Sequence, residues 1–246
     1  MSFIPEAVEY HIKGMPTPIL MSLATWGVIG SISIAAARNL NRAPKGVQNL
    51  TEFLLETVYS TADKIIGSHS EKYYPLLAGI FFYIFFGNLI GLIPGFSSPT
   101  ASLNTTAALA IVIFIYYNAQ GIREKGVLAY FKHFMGPPLP VYLAPINVLI
   151  FFIEIIGHFA RPLSLAVRLF GNIFAKEVLL AILALLIVVF MGLPDATLRY
   201  SLTAAPLLLR PLIILLGVLV SMIQAFVFLI LSAIYVAGAV QQEEHH

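Results

Sequence analysis

Apolar positions along this chain fall into runs too long for the core of a soluble domain. A helix needs about 20 apolar residues to cross about 30 Å of hydrocarbon. Ile19–Ala37 is uncharged and is followed by Arg38, Arg42 and Lys45. Ala35-Ala36-Ala37 looks like a signal-peptide cleavage site. The run is nevertheless long for such a peptide, and its basic cluster follows it instead of preceding it, so it reads as an uncleaved span. Tyr73–Gly95 is interrupted by Asn88 and glycines and ends at Pro94-Gly95. A short loop leads to Asn104–Ala119, again uncharged, and the two predict an antiparallel hairpin.

Between the first two runs the pattern changes. Val47, Leu50, Leu54, Leu55, Val58, Ile65 and Ile66 alternate with Glu52, Glu56, Asp63 and Lys64. That spacing predicts an amphipathic helix over 47–67, lying on the membrane surface. Residues 120–140, with Arg123, Glu124, Lys125, Lys132 and His133, read as a polar connector. From Pro145 to Gly192 the chain is then apolar with one internal proline, Pro162, and Ala204–Val240 forms another long run. As a helix, 145–192 would measure about 70 Å, more than twice the hydrocarbon thickness. The expected architecture is an all-α integral membrane protein in one domain over 1–246. It has three transmembrane spans (19–37, 73–95, 104–119), one interfacial helix (47–67), and a C-terminal hairpin of two long, strongly tilted helices (145–192, 204–240). Such tilt needs a partner surface to hold it. Lys and Arg concentrate in 38–72 and 120–140, so the positive-inside rule puts those segments in the cytoplasm. The N-terminal segment 1–18 then lies outside and the C-terminus inside.

Composition sharpens the class. Of 246 residues, 59% are hydrophobic and 11% charged, against about 45–50% and about 25% for soluble proteins. Mean hydropathy is +0.89. A water-soluble enzyme is excluded. The net charge of +2 gives no field for nucleic acid. With no cysteine there is no disulfide framework, thiolate metal site or Cys nucleophile. No P-loop, GxGxxG or Ser-His-Asp arrangement stands out, so neither a hydrolytic site nor a cofactor is expected.

Charges inside the fourth run are the informative exception, since each costs about 2.5–3.5 kcal/mol on insertion. They are Glu154, His158, Arg161, Arg168, Lys176 and Glu177. At about 100° per residue, Glu154, His158, Arg161, Arg168, Asn172 and Lys176 fall within about 80° of one another. Glu177 points to nearly the opposite side from Arg168 and lies about 13 Å further along. A basic stripe and a separate carboxylate suit two aqueous compartments that do not communicate. On the last run Ser221, Gln224 and Tyr235 share a face able to meet that stripe. Plainer readings stand beside these. Arg161 and Lys176 have stems long enough to snorkel. Glu154 and His158 have the spacing of a helical pair; as metal ligands they lack a completing shell, and no metal is expected. Asn88, Asn104 and Gln224 are the kind of residue that glues membrane helices together, and Tyr235 the kind that anchors at an interface. Arg168, deep in an apolar run and always charged, resists such readings.

The segment Arg161-Pro162-Leu163-Ser164-Leu165-Ala166-Val167-Arg168-Leu169-Phe170-Gly171-Asn172 resembles the signature of subunit a of F-type ATP synthases. Gln224-Ala225-Phe226-Val227-Phe228 is similar to the family's last-helix motif, and Asn88–Gly95 with Ser98–Asn104 to its earlier hairpin. The resemblance implies a non-catalytic, proton-conducting stator subunit in an energy-transducing membrane, that of a bacterial inner membrane being favoured. Its expected partners are a ring of c subunits, the b subunits of a peripheral stalk, and the lipid bilayer. It further implies roles by position: Arg168 as the essential arginine, Glu177 in the outer half-channel, Glu154 in the inner one, Gln224 packing near the arginine, and Asn172 and Tyr235 at polar positions. His158 and, as channel lining, Asn88, Asn104, Ser164, Lys176 and Ser221 complete the candidate set. Gly217 departs from the pattern. Some members carry a titratable side chain there, and water is expected to fill the gap. Two other classes remain open at this point. A stand-alone ion-coupled transporter needs paired discontinuous helices or repeats, which the sequence lacks. A non-conducting assembly scaffold would leave Arg168 dispensable. The choice of proton over sodium rests on the scarcity of clustered oxygen ligands.

Overall fold

The computed structural model describes residues 16–38, 45–67, 69–93, 95–128, 130 and 144–240. Most of the N-terminal segment, Arg42, Lys132, His133 and the C-terminal 241–246 lie outside the described residues. Along the described residues run α1 (Thr17–Arg38), α2 (Val47–Ile66), α3 (Tyr74–Ile90), α4 (Leu103–Lys125), α5 (Ala144–Met191) and α6 (Ala196–Val240). Short 3₁₀ turns at Ser70–Tyr73 and Pro99–Ala101 lead into α3 and α4. All of these helices but α2 are long and apolar enough to cross a membrane, counting α3 with the turn that precedes it. The chain is an all-α integral membrane protein.

Several boundaries differ from those the hydropathy pattern predicts, for local physical reasons. α4 continues past Ala119 to Lys125, through the start of the segment read as a connector. Arg123 and Lys125 occupy its last turn, where cations suit the negative end of the helix dipole. Gly126 stops it at φ +80°, a left-handed conformation costly for other residues, and returns its N–H to Ile122 O. α6 begins at Ala196, before the predicted 204. The Asp195 carboxylate accepts the Leu198 amide at 3.1 Å, an N-terminal cap. Arg199 Nε donates to Leu193 O at 2.9 Å and closes the turn from α5. Pro162 lies inside α5, and Pro206 and Pro211 inside α6.

The core forms where the α5–α6 hairpin meets α3 and α4. Leu165, Leu169 and Ile173 are spaced by four, so they stack on one face of α5, and all three are fully buried. Ala225, Phe228 and Leu229 of α6 and Ile84 and Ile113 of α3 and α4 complete that layer. Along α2, Leu54, Val58, Ala62 and Ile66 make the buried face of the amphipathic helix. Tyr59 stacks on Tyr74 of α3 at 4.3 Å. Lys72, in the turn entering α3, pairs with Glu124 near the end of α4. The other face of the hairpin is different. Leu163 and Val167 of α5 and Leu215 and Leu219 of α6 are half or more exposed. An apolar face of that size needs lipid or another protein against it.

Candidate functional site

The polar residues of the hairpin separate into three groups along α5. At its N-terminal end Glu154 and Arg161 approach to 3.6 Å, one oxygen to one guanidinium nitrogen. The guanidinium also lies 5.9 Å from the ring centroid of Tyr235 on α6, within cation–π range. His158 is packed into the bundle and is 7% exposed. Its Nε2 is 2.9 Å from Asn118 Oδ1 on α4. Asn118 Oδ1 also accepts the Tyr130 hydroxyl at 2.8 Å, and Asn118 Nδ2 donates to Phe114 O at 2.6 Å. Tyr117, Tyr130, Glu154, His158, Arg161 and Tyr235 together line a cavity of about 30 Å³, enough for about two water molecules. Glu154 therefore pairs with Arg161 two turns away, and His158 makes an interhelical contact to Asn118.

The middle group is Arg168, Asn172 and Gln224. Arg168 and Asn172, one turn apart, sit on the exposed face of α5. Asn172 Nδ2 donates to Gln224 Oε1 at 2.8 Å, which crosses from α5 to α6. Gln224 is 3% exposed, and its Nε2 finds no partner among the described residues. Arg168 makes no hydrogen bond or ion pair among the described residues. A guanidinium has five donors and no means of shedding its charge.

The third group surrounds Glu177, nine residues and about 13 Å beyond Arg168. Glu177 Oε1 accepts the main-chain N–H of Ser98 at 2.8 Å. Ser98 Oγ lies 3.1 Å from Gly87 O, 3.3 Å from Asn88 Oδ1 and 2.7 Å from Thr100 Oγ1, and Thr100 donates to Asn88 Oδ1. Asn88 and Thr100 are fully buried. Lys176, next in sequence to Glu177, is 8% exposed, and its Nζ has no hydrogen-bond partner among the described residues. Its stem lies against Gly217: a β-carbon there would stand 3.1 Å from Lys176 Cδ and 2.7 Å from Leu92 Cδ2. The space directly beside Gly217 is thus taken up by the Lys176 and Leu92 side chains. Lys176 also does not snorkel outward, because this packing holds its stem inside the bundle.

Three other candidates stand apart from these groups. Ser164 is exposed and donates to Arg161 O of its own helix. Ser221 is buried and donates to Gly217 O, one turn back. Asn104 lies with Ser22, Trp26 and Tyr83 along an apolar groove of about 740 Å³ between α1, α3 and α4. Sequence reasoning missed Asn118, Tyr117 and Tyr130 on the His158 side and gave no role to Ser98 or Thr100. Asn118 was visible as a polar residue in an otherwise apolar run. Nothing in the one-dimensional pattern says that Ser98 reaches Glu177. Among the described residues no group of three or more His, Cys, Asp or Glu side chains is arranged to hold a metal ion.

A family model described as ATP synthase A chain matches residues 19–237. ATP synthase subunit a 1 of Syntrophotalea carbinolica is 44% identical over 215 residues, covering 87% of this chain and 82% of the relative. ATP synthase subunit a of Geotalea uraniireducens is 41% identical over 221 residues, 89% of this chain and 86% of the relative. ATP synthase subunit a of Helicobacter pylori is 42% identical over 216 residues, 87% and 85% respectively.

Proposed function

The chain belongs to the ATP synthase A chain family, and from that premise we propose that it is the proton-conducting stator subunit of a rotary ATP synthase. It carries two offset aqueous half-channels against a ring of c subunits. The outer one is built around Glu177, with Lys176, Asn88, Ser98, Thr100, Gly217 and Ser221. The inner one is built around Glu154, with His158, Arg161, Tyr117, Asn118, Tyr130 and Tyr235. The N-terminus is outside and the C-terminus cytoplasmic. Peripheral-stalk b subunits hold the chain still while the ring turns, and the long hairpin is tilted so that it follows the ring. The chain performs no phosphoryl chemistry.

One observation carries this reading: a charged Arg168, without a partner among the described residues, on an open face and flanked along one helix by two enclosed polar groups. A ring carboxylate that faces lipid must be protonated, because burying it charged is too costly. As it passes Arg168, the fixed positive charge favours loss of the proton into one half-channel. The same charge repels a proton moving directly from Glu177 to Glu154. Each proton crossing 100 mV yields about 2.3 kcal/mol, so a gap in this barrier would dissipate the gradient. Asn172 and Gln224 lock α5 to α6 one turn from Arg168 and fix where the guanidinium stands. The scaffold and stand-alone transporter readings leave the lone guanidinium without a purpose.

The test is ATP-driven proton pumping in inverted membrane vesicles, comparing wild type with Arg168→Ala at equal assembly. Loss of pumping, with ATP hydrolysis retained on detaching the soluble motor, is expected. Unchanged pumping would refute the assignment of Arg168 and favour a scaffold.

A further inference from the structure

Glu177 is not held by its own helix. Its Oε1 accepts an N–H from Ser98, which belongs to the loop between α3 and α4. That loop is itself built into α3. A β-carbon on Gly91 would stand 2.7 Å from both Cβ and N of Ser98, and one on Gly87 would stand 3.1 Å from Pro99 Cγ. Gly91 has φ −67°, so its backbone does not require glycine; the space does. Two glycines one turn apart therefore leave a seat on α3, and Ser98-Pro99 occupies it. Between them in sequence is Asn88, whose Oδ1 receives Thr100 and lies within reach of Ser98 Oγ. Asn88 Nδ2 has no partner among the described residues, so the oxygen does the anchoring.

We propose that the Ser98–Thr100 loop, seated on Gly87, Asn88 and Gly91, is the positioning element of the outer proton site: the Ser98 amide fixes one oxygen of Glu177 and leaves the other to exchange the proton. Ser98 and Asn88 are positioning residues here and take no proton from the path. An amide donated to a carboxylate favours its ionised form and fixes its rotamer at once. Oε2 of Glu177 accepts no hydrogen bond among the described residues and is not enclosed. The charged neighbour of Glu177 is Lys176 on its own helix. The loop, α3 and α6 place Ser98, Thr100, Asn88 and Gly217 around the pair, and none of these titrates. The inference rests on the channel reading above and names what tunes its outer end.

Ser98 offers an unusual separation of variables. Its φ is −74°, inside the range that proline imposes. Ser98→Pro removes the amide donor and the hydroxyl; Ser98→Ala removes the hydroxyl alone. The experiment uses the whole ATP synthase in proteoliposomes, with ATP synthesis measured against the pH of the outer-side compartment and the membrane potential adjusted to hold the driving force constant. The midpoint for Ser98→Pro is expected to lie more than ~0.5 pH unit from that of Ser98→Ala, at equal assembly. Thr100→Val is expected to displace the midpoint and Thr100→Ser to restore it. Coincident profiles for Ser98→Pro and Ser98→Ala, with Glu177→Gln inactive, would overturn the proposal and leave the channel reading standing. A fully active Glu177→Gln would refute the outer half-channel assignment and the proposal together. Should Ser98→Pro not assemble, the Thr100 pair decides: indistinguishable Val and Ser profiles overturn the proposal.

Discussion

Gly121 is where the inner group of polar residues is most sensitive to a single added carbon. A β-carbon on Gly121 would stand 2.5 Å from Tyr130 Cε2 and 3.1 Å from Ala239 O. Ordinary contact between carbons is about 3.5–4.0 Å, so in Gly121→Ala the Tyr130 ring must retreat by about 1 Å. The backbone oxygen of α6 on the other side yields little. The Tyr130 hydroxyl is 2.8 Å from Asn118 Oδ1, and a shift of that size takes it beyond hydrogen-bond range. Overpacking costs about 1–3 kcal/mol and the lost hydrogen bond about 1 kcal/mol. Replacing a helical glycine by alanine returns about 1 kcal/mol. The expected net loss is about 1–3 kcal/mol. In a Tyr130→Ala background the ring is gone and only the tight contact with Ala239 O remains, so the same substitution should cost clearly less, offset by about 1 kcal/mol of helix propensity. Unfolding of the purified membrane sector by SDS in mixed micelles, run as a double-mutant cycle, measures both values. The reasoning is wrong if Gly121→Ala destabilises equally in the two backgrounds, or is silent in the wild type.

Two further outcomes follow from particular contacts. Asn172→Ala and Gln224→Ala should couple by about 0.6 kcal/mol, the average for hydrogen bonds between membrane helices, in the same unfolding assay; additive losses would show that the 2.8 Å bond does not hold the hairpin together. At the corner between α2 and α3, hydrogen bonds from Ser70 and then Tyr74 hold the exposed Asp63 carboxyl below its usual 3.8. A lowered folded-state value gives stability that is present above about pH 3.8 and lost as the pH falls through the lower folded value. Hydrogen exchange at the C-terminal end of α2 should accelerate below that pH in the wild type, and Asp63→Asn should remove the dependence.

The pattern of apolar runs identifies an integral membrane protein of long helices, because the hydrocarbon leaves few alternatives. It also marks Arg168, since a charge in such a run is costly enough to be conspicuous. Helix ends were less legible. Hydropathy stops α4 at Ala119, while the chain stops it at Gly126, because a helix end is decided by caps and backbone conformation as well as by polarity. The helical wheel put Lys176 on the stripe with Arg168. The structure splits that stripe, with Arg168 and Asn172 exposed and His158 and Lys176 buried. About 80° of arc is wide enough for its two edges to meet different neighbours.

What the sequence determined by itself was therefore one-dimensional: the run lengths, the charges within them, and the ordered motifs that carry the family resemblance. Only the tertiary structure decided how those charges are paired. Periodicity along α5 offers Glu154 a partner one turn away; the folded chain brings Arg161 to it from two turns away and sets His158 against Asn118 of α4. The sequence shows Gly217 as an absence; packing shows that Lys176 and Leu92 occupy the place. Glu177 meets an amide 79 positions earlier in the chain. Contacts of that kind depend on how helices stack and where a loop folds back, and an 8% exposed lysine or a seat made by two glycines exists only once the chain has closed on itself.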